Sequence, residues 1–216
     1  GVSGMVLSTL HQSSLGSLFL IAPGRLHPLW YSPFLPVFFF VSAIAAGLAM
    51  VIVEGALSHV FFHDRVAPAL RENFDSLTLG LGKAAAVVLF AYFGIKVVGV
   101  ASGHHWSLLT TPYGLLFLVE VLGFVVLPCA LFTWGYRSQR VRVVRVAAVL
   151  TVVGIVFNRL NVGMIALGWR ADQVYTPSFA EVATSVVIVM TGIVVFRWIV
   201  RRMPILDEHV AYKVQH

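Results

Sequence analysis

Long apolar stretches alternate with short polar segments along this whole chain. Apolar runs extend over residues 2–22, 34–61, 77–101, 113–134, 143–167 and 179–200, each near the ~20 residues a helix needs to cross a bilayer. Pro23-Gly24 separates the first two, and the other intervals leave no room for a soluble domain. The pattern predicts an all-α, polytopic transmembrane bundle of about six spans, a single transmembrane domain over residues 1–216. Small residues within the spans, Ala43, Ala46, Gly47, Gly94, Gly99, Gly114 and Gly123, predict close helix packing.

Composition agrees with that pattern and excludes other classes. Of 216 residues, 59% are hydrophobic and 11% charged, and the mean hydropathy is +0.90. A soluble domain is about 25% charged, and a disordered chain needs low hydrophobicity with high net charge. One cysteine, Cys129, cannot form an internal disulfide or hold an iron–sulfur cluster. Any such cluster must then belong to another chain. The first residue is not Met, and neither a basic leader nor a small-residue cleavage site follows, so the sequence reads as part of a longer polypeptide.

The net charge of +6 is a topology signal rather than a sign of nucleic acid. Alternating spans put Arg65, Arg71, Arg137, Arg140, Arg142, Arg145, Arg197, Arg201, Arg202 and Lys213 on one side, and Arg25 and Arg170 on the other. By the positive-inside rule the first side is cytoplasmic, and so is the C-terminus. The outer loops collect Trp30, Tyr31, Trp106, Tyr113, Trp169 and Tyr175, an aromatic belt in composition.

Ionisable and amide groups at membrane depth carry the functional signal, because a charge at the bilayer centre costs about 2.5–3.5 kcal/mol on insertion scales. The first span holds Thr9-Leu10-His11-Gln12-Ser13-Ser14, whose donors and acceptors lipid cannot satisfy, so this face is expected to look into the bundle or a cavity. His11 can bond a carbonyl oxygen or exchange a proton near neutral pH, or simply bond a neighbouring helix. Lys96, Glu120 and Arg159 fall in the outer halves of consecutive spans, with Asn158 and Asn161 beside Arg159, and Glu54 lies in the cytoplasmic half of the second. Lys96 and Glu120 are the expected pair. The set reads either as a buried charge network or as a hydrated proton relay.

A transmembrane b-type haem needs two facing axial ligands. With His11 the single histidine away from a span end, haem held wholly by this chain is disfavoured. His104-His105 is too little to argue for a metal, and neither a phosphate loop nor a nucleophile elbow is present.

Thr9-Leu10-His11-Gln12-Ser13-Ser14-Leu15-Gly16-Ser17-Leu18 followed by His27-Pro28-Leu29-Trp30 resembles the signature of polysulfide-reductase-type membrane subunits, the NrfD family. Val53-Glu54-Gly55, Val119-Glu120-Val121, Arg159-Leu160 and Met203-Pro204-Ile205-Leu206 are similar, in the same order, to the membrane subunit of periplasm-facing nickel–iron hydrogenases, called the b-type cytochrome subunit. The resemblance implies a bacterial inner-membrane subunit that passes electrons between membrane quinone (menaquinone or ubiquinone) and a ferredoxin-like iron–sulfur subunit serving a hydrogenase or related catalytic chain. It also implies that these six spans are the later part of a ten-span protein. His11, with Gln12, would then contact the quinone; Glu54, Lys96, Glu120, Asn158, Arg159 and Asn161 would form the polar interior; and Arg25, His27, Trp30, His104, Trp106 and Arg170 would dock the partner. No catalytic residue and no metal site is expected in this chain. Two rival readings are a proton-conducting or ion-transporting subunit and a purely structural anchor.

Overall fold

The computed structural model describes residues 2–21, 24–61, 68–166, 168–170 and 178–202, and a helix occupies each of the six apolar segments. These are α1 (Val2–Leu18), α2 (Leu35–Phe61), α3 (Pro68–Ser102), a composite rod, another composite rod and α7 (Phe179–Arg202). The first rod runs α4 (Pro112–Leu118), the π-helix π1 (Val119–Val126) and α5 (Leu127–Arg137); the second runs α6 (Val141–Leu160) and the π-helix π2 (Asn161–Ala166). Among the described residues four stretches are long and apolar enough to cross a membrane, Leu35–Leu57, Phe74–Ser102, Pro112–Arg137 and Val141–Ala166; the apolar part of α7, Phe179–Val195, is shorter. Arg65, Tyr175, Lys213, the Met203-Pro204-Ile205-Leu206 motif and the side chains of Thr9, Arg71, Arg197 and Arg201 lie outside the described residues.

Local chemistry sets the helix ends and the π segments. Thr111 caps α4 by accepting from the Gly114 N–H at 3.1 Å, and Pro112 follows at the first helical position, where its missing N–H costs nothing. Pro128, just beyond π1, would drive its ring into the carbonyl four residues back in a regular helix. The wider π turn is a known accommodation of such strain. Gln139, in the left-handed region at φ 54°, makes the tight reversal from α5 to α6.

The chain divides into two compact units, Gly1–Asp172 and Gln173–His216. In the first, α2, α3, the π1–α5 rod and α6 pack in a closed ring of four, and α1 lies against α2. Small residues allow that approach. Ala45, Ala49, Ala85, Ala147 and Ala148 are fully buried, and a Cβ on Gly154 would stand 2.4 Å from the Phe124 Cβ. Gly99 and Gly114 are close-packed as expected, but Gly47, Gly94 and Gly123 face open space; helix phase rather than residue size decides which small residue meets a neighbour. The outward faces are apolar, with Phe90 70% and Val87 64% exposed, as lipid-facing surfaces of an integral membrane protein are. In the second unit, Ser178 and Glu181 form a capping box at the start of α7, the Ser178 N–H donating to Glu181 Oε2 at 3.0 Å and the Glu181 N–H to Ser178 Oγ at 3.4 Å.

Candidate functional site: a carboxylate knot and an outward-facing polar strip

Glu120 projects from π1 into the centre of the bundle and is 2% exposed. Its Oε1 accepts from Lys96 Nζ of α3 at 3.3 Å and Asn158 Nδ2 of α6 at 2.6 Å. Its Oε2 accepts from Trp30 Nε1 at 3.0 Å and from Asn161 Nδ2 of π2 at 2.9 Å. A carboxylate is an acceptor with room for about four bonds, so one side chain ties together three helical rods and the loop before α2. The two π segments meet at this point, one supplying the carboxylate and the other an amide. Counting helical rise from the nearer helix ends, those beside the loops of His27 and His104, the knot lies roughly 10 Å below them.

The cations are held by aromatic faces as well. Lys96 Nζ lies 5.1, 5.3 and 5.7 Å from the ring centres of Phe117, Phe38 and Tyr92, and the Arg159 guanidinium stacks 3.7 Å from the Phe39 ring centre. Such cation–π contacts gain strength where water is excluded. Arg159 also donates to Asn158 Oδ1 at 3.2 Å, Ser42 Oγ at 2.8 Å and the Phe39 carbonyl at 3.5 Å. The expected pair Lys96–Glu120 is therefore present, and Asn158, Arg159 and Asn161 join it. Trp30, Ser42, Phe38, Phe39 and Tyr92 belong to the same knot and were not expected there. Ser42, a lone hydroxyl after Phe38-Phe39-Phe40-Val41, was the available hint.

Glu54 stands apart. It is exposed and sits twelve residues beyond Ser42, about 18 Å along the helix and turned by about 120° at 100° per residue. The inward face of α2 carries Ser42, Ala45, Ala49 and Ile52 instead.

The loop before α2 corrects two docking expectations. His27 and Trp30, assigned to partner contact, are 5% and 2% exposed and serve the interior. The His27 N–H donates to the Ala166 carbonyl at 2.9 Å, and its Nδ1 accepts from the Leu29 N–H at 3.2 Å. Its ring is boxed by Tyr113, Trp169 and Trp30, with centres 4.8, 5.0 and 5.5 Å away. Burial pushes the His27 imidazole below its ordinary 6.5, and His105 adds to the effect. Trp30 is consequently no belt residue; turned inward, its indole N–H serves a buried acceptor. Arg25, His104, Trp106 and Arg170 are exposed at this outer end, Arg170 stacking on Trp169 at 4.5 Å.

The polar run of α1 behaves differently. His11 and Ser14 are exposed, while Gln12 and Ser13 are half-buried. Gly16, five residues on, faces α2, where a Cβ would stand 2.9 Å from the Leu35 carbonyl oxygen. His11 is turned about 140° away from that contact. The strip, expected to look into the bundle or a cavity, points outward from the helices of the first unit. Among the described residues no group of three or more His, Cys, Asp or Glu is arranged to hold a metal.

Residues 3–167 match the family described as polysulphide reductase, NrfD. A protein of Nitratidesulfovibrio vulgaris strain Hildenborough, named only "Protein", is 52% identical across this entire chain and 56% of its own length. The "probable Ni/Fe-hydrogenase 2 b-type cytochrome subunit" of Escherichia coli K12 is 27% identical over 94% of this chain and 51% of its own length. The chain therefore spans about half the length of these relatives. No solved structure matches it.

Proposed function

The chain belongs to the NrfD polysulphide reductase family of membrane subunits, and from that premise we propose that it carries the quinone-reactive face of a respiratory oxidoreductase in the bacterial inner membrane, with its C-terminus cytoplasmic. Its partners in this reading are an external ferredoxin-like iron–sulfur subunit and a nickel–iron hydrogenase or related catalytic subunit, as the name of the Escherichia coli relative suggests. The observation that carries the reading is the outward polar strip of α1. A histidine left exposed on an apolar helix, beside a half-buried glutamine, has its hydrogen-bonding capacity available to something outside this bundle.

Reduction of a quinone takes two electrons and two protons. An iron–sulfur partner supplies the electrons; His11 supplies a hydrogen bond and one proton to a quinone oxygen, with Gln12 orienting the same oxygen, and the second proton reaches the other oxygen from water. The carboxylate knot holds the outer ends of the rods and the loop of His27 and Trp30 in one arrangement. Arg25, His104, Trp106 and Arg170 form the exposed rim on which a partner would dock. The knot gives less support to the proton-conducting alternative, since its hydrogen bonds are made among fixed side chains and Glu54 lies away from it.

The test is His11→Ala in the intact complex. Quinone reduction should fall at least tenfold, while reduction of an artificial dye by the catalytic subunits stays unchanged. The anchor reading, favoured by the closed knot alone, predicts full quinone turnover in the same variant.

A further inference from the structure

Beside the knot the bundle contains a cavity of about 20 Å³ whose lining includes Ser42, Tyr92, Glu120 and Asn158, each from a different element, with Ala45 and Gly154 among its apolar walls. A space of this kind needs roughly 10–15 Å³ to hold one water, and a buried water needs two to four polar partners. Both conditions are met. An apolar cavity of this size would stay dry, but four of the residues around this one carry polar side chains.

The hydrogen-bond inventory points the same way. The Asn158 amide has two N–H groups, one of which serves Glu120 at 2.6 Å. Ser42 Oγ donates to the Phe39 carbonyl at 3.0 Å and accepts from Arg159 at 2.8 Å, which leaves one lone pair. Tyr92, 5% exposed, brings a hydroxyl that accepts from Lys96 and keeps its own proton to donate. Around the knot donors outnumber acceptors: Lys96 and Arg159 offer N–H groups only, and Glu120 already receives four bonds. A water oxygen adds an acceptor, and its two hydrogens meet the remaining lone pairs.

We propose that this cavity binds a single water molecule, held by Asn158, Ser42 and Tyr92 beside Glu120. The water joins the Arg159–Ser42 branch on α2 to Tyr92 on α3 and, through Asn158, to the carboxylate on π1. It is also a group that can reorient within a knot otherwise built from fixed side chains. The site needs no quinone and no turnover, so it stands or falls separately from the function proposed above.

The experiment is a structure of the intact complex in which internal waters are visible. One peak is expected in the cavity, within hydrogen-bond distance of at least two of those three side chains. An empty cavity in a map that shows waters elsewhere, or density for part of a larger molecule, overturns the proposal. Ala45→Val adds two methyl groups to the cavity wall and should remove the peak while the four bonds to Glu120 persist. A peak that survives this substitution also overturns the proposal, and if the variant does not fold, the map of the unaltered protein decides alone.

Discussion

Two polar regions interrupt the apolar helices, and the structure treats them in opposite ways. Around Glu120, every charge that enters the bundle meets a partner of this chain: four donors on one carboxylate, and three aromatic rings around the lysine. On α1 the polar run lies against a single helix and turns His11 outward. Burying a charge is tolerated when the fold supplies its partners. A polar group that the fold leaves exposed on an apolar helix is instead a candidate for contact with another molecule. The first region should therefore govern stability and the second activity, and substitutions can break or sharpen that division.

The largest effect is expected from Glu120→Ala. It strands Lys96, whose side chain is 7% exposed, together with the donors of Trp30, Asn158 and Asn161. Breaking a buried pair by removing one partner costs about 3–5 kcal/mol, so little folded protein should survive detergent extraction. The double variant Glu120→Gln with Lys96→Met removes both charges and should recover much of that loss, read as a thermal midpoint. If the single and double variants are equally unstable, the carboxylate and the lysine are not coupled.

Smaller losses follow from the neighbours. Trp30→Phe keeps an aromatic side chain, though a smaller one, and removes the N–H that Oε2 accepts; a buried group left short of a partner costs about 1–3 kcal/mol. Gly154→Ala forces a methyl group against Phe124, and overpacking of this kind costs about 1–3 kcal/mol. Either variant with a wild-type thermal midpoint would contradict the packing described.

How much of this the sequence revealed depends on what each feature requires. The bundle was legible because lipid forces long apolar runs, and Lys96–Glu120 because depth can be counted from the helix ends. Asn158 and Asn161, three residues apart, share a helix face. The inward turn of Trp30 was not legible, since it depends on a loop folded by the His27 backbone and the end of π2. Depth along a helix can be counted from the sequence, but the directions of Glu54 and His11 depend on helix phase, which is fixed only by the packing neighbours.

A pH effect smaller than these losses should come from His27. Because burial lowers its pKa from 6.5, the folded state binds fewer protons than the unfolded one between the folded value and 6.5. Stability is therefore fully present above 6.5 and declines as pH falls from there toward the folded value. Thermal midpoints at pH 7.5 and 5.5 should differ in that sense, and His27→Gln should narrow the difference; an unchanged difference would assign it to other groups. Smallest of all, Arg145→Gln breaks the partly exposed pair with Asp75 at 3.0 Å and should cost no more than about 1 kcal/mol.

The division between the two regions is tested most directly by measuring quinone turnover and thermal midpoint together for His11→Ala in the intact complex. An exposed residue outside a network is expected to change stability by no more than about 0.5 kcal/mol. The account predicts an unchanged midpoint with quinone reduction lost and dye reduction kept. Full quinone turnover, or a midpoint lowered as far as that of Trp30→Phe, would contradict it.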